Sequence, residues 1–307
     1  MKLLKNIFIM IVIIFGLTGC EYQFILRSSL LVFEMSKHKA DYWYTGKKDI
    51  SFCHAIEWGD TNKMGKMIKE GLDINTRGKD GMTFLIYAYL KLNKKSFEYL
   101  LEHGADPNII MESNEKPEGW VNMNFSLSAL TLATEDKYDT FYLKSCLEHG
   151  GNPNAVIYTK YSNDYIFGRH ILYNAIVDAE SLTNIKLLVE AGSDVNGLKK
   201  EPGTSTPLSQ SIDIDRYDIA IYLLEKGADP EISKDSIIRY IYDHDLKLLT
   251  GMEKQKEYRK KVIKILEDKG LEFTAESYKK AEEEQTARDK RVLEEYKKKH
   301  KKDNSSD

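Results

Sequence analysis

Cysteine is the scarcest chemistry in this chain of 307 residues. Only Cys20, Cys53 and Cys146 occur, with no Cys-x-x-Cys pair, which excludes the usual zinc and dithiol redox motifs. The seven histidines are scattered and never form His-Glu-x-x-His, so no zincin-type site is written here. A glycine-rich phosphate loop and a Gly-x-Ser-x-Gly elbow are also lacking; these would mark nucleotide binding and hydrolase nucleophiles. Net charge is only −3, so no overall basic field argues for nucleic acid. The chain reads as a non-enzyme, with no catalytic residue, no metal ligands and no cofactor assigned.

One long apolar run is present, at the N-terminus. Ile7 to Leu17 follows Lys2 and Lys5, the layout of a secretory signal, and it is too short to span a bilayer comfortably. It ends Leu17-Thr18-Gly19-Cys20, which resembles the lipobox of bacterial lipoproteins. The resemblance implies that residues 1–19 are a signal peptide and that Cys20 becomes the acylated N-terminus. Several acyl chains on one residue hold a protein firmly to a membrane. Glu21 in place of Asp implies, by the same resemblance, an outer-membrane location facing the periplasm. That destination is oxidising, and only Cys53 and Cys146 remain in the body.

The body is repetitive. "LLEHGADPN" at 100–108 returns as "CLEHGGNPN" at 146–154 and as "LLEKGADPE" at 223–231. Helix-ending glycines at 71, 104, 150, 192, 227 and 270 are spaced 33, 46, 42, 35 and 43 residues apart. Upstream of each lies a second apolar segment, shown best by "TSTPLSQSIDIDRYDIAIYLLEKGADPE". These features resemble the ankyrin-repeat family, whose period is 33 residues, from about residue 48 to 273. The implied fold is an all-α solenoid of about six stacked helix-turn-helix repeats with extended hairpin fingers. Each repeat needs a left-handed glycine to stop its second helix, and no repeat buries its apolar stripe alone. Asp106 and Asp229 are placed to brace the turn through their own backbone. Pro107, Pro153 and Pro230 are expected to direct an outgoing strand and forbid further helix.

The flanks differ from the body. Residues 20–47 read as a lipidated tether or an N-terminal capping segment, with Phe24, Leu30, Leu31 and Phe33 favouring packing. Residues 274–307 read as a charged helix and tail, rich in helix formers. The helix has three readings: a cap on the solenoid through Tyr278, Ala281, Val292 and Tyr296, a solvated extension, or a basic contact at 297–302. The last repeat is expected to present a polar outer face, because the final joint meets water.

The remaining candidates for chemistry read as structure. His103 and His149 precede helix-ending glycines, where an imidazole meets the last carbonyls. Cys53 and His54 are neighbours on a helix and point about 100° apart; Cys53 reads as a small buried hydrophobe. Cys53 and Cys146 lie two repeats apart, at roughly 10 Å per layer, beyond disulfide reach. Asp213, Asp215 and Asp218 have a calcium-like spacing but lack the glycine and distal glutamate of an EF-hand loop.

Two insertions, residues 109–125 and 155–169, follow helix-ending turns, where ankyrin proteins extend their fingers. They carry Trp120, Phe125, Tyr158, Tyr161, Tyr165 and Phe167. Such rings give large contact area at low ordering cost; the alternative is that they pack on their own stack. The resemblance implies a monomeric, membrane-tethered module that binds a protein through Trp120, Phe125, Tyr158, Tyr161, Tyr165 and the concave face. Proteins of similar build act as immunity proteins against secreted antibacterial effectors. The alternative is an envelope organiser that tethers a resident complex.

Overall fold

A computed structural model describes residues 32–113, 123–136, 139–161, 166–197, 205–245 and 253–303. The signal peptide, Cys20, Trp120 and Tyr165 lie outside these residues, as do Phe24, Leu30 and Leu31. The chain divides into two compact units, Met1–Arg169 and His170–Asp307.

In the first unit a short α1 (Ala40–Trp43) precedes three helix pairs: α2 (Lys47–Trp58) with α3 (Thr61–Lys69), α4 (Phe84–Leu90) with α5 (Lys94–Glu102), and α6 (Ala129–Ala133) with α7 (Phe141–Glu148). First helices stack on first helices, α2 on α4 on α6, and second helices likewise, α3 on α5 on α7. In the second unit α8 (Ile171–Asn174) runs into a π-helical turn (Ala175–Ala179), and that turn packs on α9 (Leu182–Glu190). There α10 (Pro207–Asp213) pairs with α11 (Tyr217–Glu225), and α12 (Lys234–Asp245) and α13 (Glu253–Asp268) stack on them in turn. Last comes α14 (Ala275–Asp303).

The sequence explains which helix sits where. All seven residues of α4, "FLIYAYL", are buried, because a first helix is enclosed by both neighbouring repeats. The second helix needs only a stripe: Phe97, Leu100 and Leu101 are buried on α5 while Glu102 is exposed. Burying each such side chain contributes roughly 1.5–3 kcal/mol. First helices start at hydroxyl caps: Thr83 accepts from Ile86 N–H, and Ser128 and Thr206 form capping boxes with Thr131 and Ser209. Such caps satisfy amides that have no partner inside the helix.

The repeated peptide is a stacking joint. Gly104 sits at φ +91°, and the amide that follows, Ala105, donates to Leu100 O at 2.9 Å, closing the helix end. Asp106 then accepts from Asn108 N–H at 2.8 Å, as expected. The asparagine ending the peptide has a second duty, which the sequence reading missed. Asn75 donates to Gly104 O at 3.1 Å and accepts from Asp106 N–H at 2.9 Å. Asn108 repeats this one step on, with Gly150 O at 3.0 Å and Asn152 N–H at 2.8 Å. In the second unit Asn196 accepts from Asp229 N–H at 2.8 Å. Each asparagine side chain therefore joins its own turn to the next.

Three expectations need correction. Pro230 does not lead into a strand: it is the first residue of a 3-10 turn (Pro230–Ser233) that continues into α12. Its fixed φ suits a helix start, where the missing N–H is no loss. Phe33 is 55% exposed rather than packed. The capping duty falls instead on Met35, Ala40, Trp43 and Tyr44, all buried, with Tyr44 Oη–H donating to Met82 O at 2.9 Å. Finally, α12 does not present a bare polar face, because α14 packs along it. Tyr278 stacks on Tyr242 at 4.2 Å, Ala281 is buried, and Arg288 pairs with Asp235 at 2.7 Å. The charged helix is a cap along this part of its length.

Candidate partner-binding surface

The two insertions fold into strands. β1 (Met111–Ser113) and β2 (Met123–Leu127) come from the first, β3 (Val156–Tyr161) and β4 (Ile166–His170) from the second. They form one four-stranded sheet in the order β1-β2-β3-β4, with β2 antiparallel to both β1 and β3. Extended fingers were expected from these insertions; they join edge to edge through β2 and β3. Pairing satisfies backbone groups that a lone hairpin would leave at two open edges.

The root of the sheet is anchored by apolar residues. Met111 and Leu127 face each other across β1 and β2, and both are buried together with Ile157. Gly81, at φ +81°, lets β1 approach: a β-carbon there would lie 3.2 Å from Met111 Cα. The backbone of repeat 2, the α4–α5 pair that follows the α2–α3 pair of repeat 1, thus fixes where the first finger starts.

Of the five aromatic residues assigned to partner contact, Tyr158 is exposed, at 45%. Its ring lies over Gly168 of β4, where an added β-carbon would stand 3.0 Å from the ring edge. A glycine opposite an aromatic gives the ring a flat seat on the neighbouring strand. Phe125 lies on β2 opposite Thr159, and Tyr161 ends β3 opposite Met123. Alternation along the strands puts the positions of Phe125 and Tyr161 on the face that holds Leu127 and Ile157, and Tyr158 on the opposite face. Ile110, 42% exposed at the entrance to β1, joins this surface and was not singled out from sequence, because a lone isoleucine before a strand carries no motif.

The groups that could do chemistry are engaged elsewhere. Cys53 and Cys146 are free and fully buried, and burial pushes both thiols well above their ordinary range, so neither is a ready nucleophile. His103 Nδ1 lies 2.8 Å from Tyr99 O and His149 Nδ1 2.9 Å from Ser145 O, at their helix ends. Asp218 is held by Arg216 at 2.8 Å; burial would raise its carboxyl, but those bonds outweigh it and leave the group acidic. His170 takes the helix-start place that Thr83, Ser128 and Thr206 hold elsewhere, accepting weakly from Leu172 N–H at 3.4 Å. Its burial lowers the imidazole to about 4, partly opposed by Asp194.

A second exposed apolar group lies at the opposite ends of the helix pairs. Trp58 is 83% and Leu92 73% exposed, each at the turn joining the two helices of its repeat. Neither was identified from sequence, although a large apolar residue one or two positions before a helix-start residue, Asn93 or Asp60, was the available signal.

No family model matches the chain, and no curated protein does. Among solved structures, an ankyrin repeat domain from Acinetobacter baumannii AYE is similar, with a TM-score of 0.50 and 19% identity. The match covers 70% of this chain and 97% of that one. The protein has the fold of an all-α ankyrin-repeat solenoid.

Proposed function

We propose that this protein is a lipid-anchored binding module of the bacterial envelope that grips a protein partner with its joined fingers. The observation carrying this reading is the sheet itself. Two insertions that a plain repeat does not need are paired, rooted on buried Met111, Leu127 and Ile157, and present Tyr158 on a glycine seat. A ring held in advance loses little freedom on binding. The other assigned contacts, Trp120, Phe125, Tyr161 and Tyr165, belong to the same two insertions.

Burial of both body thiols favours a binder over a covalent catalyst. Acylation at Cys20 would hold a monomer at the outer membrane, facing the periplasm, and the partner we favour there is a secreted antibacterial effector. In that case the protein acts as an immunity protein. The test is a crosslinked pull-down from envelopes with the acylated chain, alongside growth protection against a co-expressed effector. Tyr158→Ser and Gly168→Val should each lose the partner; thermal unfolding stays unchanged in Tyr158→Ser, whereas Gly168→Val also costs stability by crowding Tyr158 and Val156. Undiminished capture and protection in both variants would reject the finger surface. Capture of a resident complex without protection would reject the inhibitor role.

A further inference from the structure

Phe33, Trp58 and Leu92 expose their side chains by 55%, 83% and 73%, and the elements carrying them are tied together. Asn93, beside Leu92, donates to Ile56 O at 2.9 Å and Glu57 O at 3.2 Å, beside Trp58. Lys95 donates to Gly59 O at 2.8 Å. On the other side Lys91 donates to Ser36 O at 3.1 Å and His38 O at 2.9 Å, and Ser36 Oγ–H donates to Phe33 O at 2.8 Å. These bonds gather the three residues at the inter-helix-turn edge of repeats 1 and 2. The fingers leave from the other ends of the helices. Leu92 even holds φ at +54°, a conformation that bulky residues seldom adopt.

We infer that this edge rests on the lipid bilayer surface. The inference rests on the acyl-anchor reading, which supplies the reach. Residue 32 follows Cys20 by twelve steps, about 40 Å if extended and about 18 Å if helical. The edge bearing Phe33 is therefore kept by chain connectivity within that reach of an anchor at Cys20. Its chemistry suits the headgroup zone. Trp is the residue favoured at membrane interfaces, and lysines can rest their stems on apolar surface while the ammonium stays wet. Lys37, Lys63, Lys94 and Lys95 occupy the same segments. The acidic neighbours are exposed or half-exposed but engaged: Glu57 accepts from Tyr87 Oη–H, Asp60 accepts from Lys63 N–H at 3.0 Å, and Glu34 and Asp139 pair with Lys37 and Lys94 at 2.7 and 2.5 Å. With this edge on the bilayer, the fingers point away from it, toward a periplasmic partner.

The test uses the full acylated chain on phosphatidylethanolamine and phosphatidylglycerol vesicles with brominated acyl chains. Tryptophan emission is compared between wild type and Trp58→Phe. Trp43, only 1% exposed, supplies an internal reference beside Trp120. The expected result is a bromine-quenched component that disappears in Trp58→Phe, with melting unchanged because Trp58 is almost wholly solvated. If the chain floats with vesicles yet both proteins quench alike, the anchor reading stands and this edge does not touch lipid. If the chain is neither acylated nor vesicle-bound, both readings fall. Shielding of Trp58 that appears only with added envelope protein, or only as chain concentration rises, overturns the inference in favour of a protein partner or a second copy.

Discussion

Asn93 offers a sharp test of how adjacent repeats are held. Its Oδ1 accepts from Ser96 N–H at 3.0 Å, capping α5, while its Nδ2 donates to Ile56 O and Glu57 O of the preceding repeat. Losing an Asn cap costs about 1 kcal/mol, and losing an inter-turn hydrogen bond about 1 kcal/mol more. Ser96 Oγ–H also donates to Ile56 O, at 2.8 Å, so that carbonyl is not left bare and the larger unsatisfied-group penalty does not apply. Asn93→Ala should therefore lose about 2 kcal/mol, or roughly 4–8 °C in Tm. Asn93→Asp separates the two contributions. It keeps the cap acceptor and adds a charge favoured at a helix N-terminus, yet turns an acceptor toward two carbonyls. If the bridge matters, this variant loses at least about 1 kcal/mol despite its good cap. Urea unfolding followed by circular dichroism reads both numbers, provided the slope stays constant. An Asn93→Asp protein as stable as wild type would refute the reasoning, leaving Asn93 a cap and nothing more.

His170 predicts acid sensitivity. Its folded-state value, about 4, lies below the ordinary 6.5, so the unfolded chain takes the proton first. The neutral-state stability is complete above 6.5 and declines as pH falls toward 4, by up to about 3 kcal/mol. His170→Asn, which caps without titrating, should flatten the fall in urea midpoint between pH 7 and pH 4.5; an unaltered pH profile would contradict the assignment. Gly151→Ala places a β-carbon 2.7 Å from Cys146 O and 3.1 Å from Leu130 Cδ1, and should cost about 1–3 kcal/mol by overpacking. Wild-type stability would mean that the turn relaxes to the geometry in which repeat 2 holds Ala105. Arg288→Ala removes a half-buried partner of Asp235 and should loosen α14, seen as faster amide exchange at 275–288; unchanged exchange would leave the stacked tyrosines as the main clasp.

Much of the body was legible because a stacking joint is local chemistry. A glycine at φ +91°, an Asp that binds its own backbone and an apolar stripe at helical spacing all involve residues within a few positions of one another. The hydroxyl caps were partly legible for the same reason: Thr83 and Thr206 stand directly before their helices. Pro230 was misread because one residue type serves both a strand exit and a helix start, and only the following residues' packing on α10 selects the second.

What the sequence determined, by itself, is the unit and its recurrence, since each unit's turn closes through bonds only a few residues long. What the tertiary structure alone decided is everything that depends on two distant segments meeting. It joined two fingers into one sheet, laid Tyr158 on Gly168, drew α14 along α12, and gathered Phe33, Trp58 and Leu92 onto one edge. Those pairings turn on register, exposure and which neighbour arrives first at a surface. No spacing along the chain encodes them, because the partners are separated by other elements whose stacking must form before they can touch.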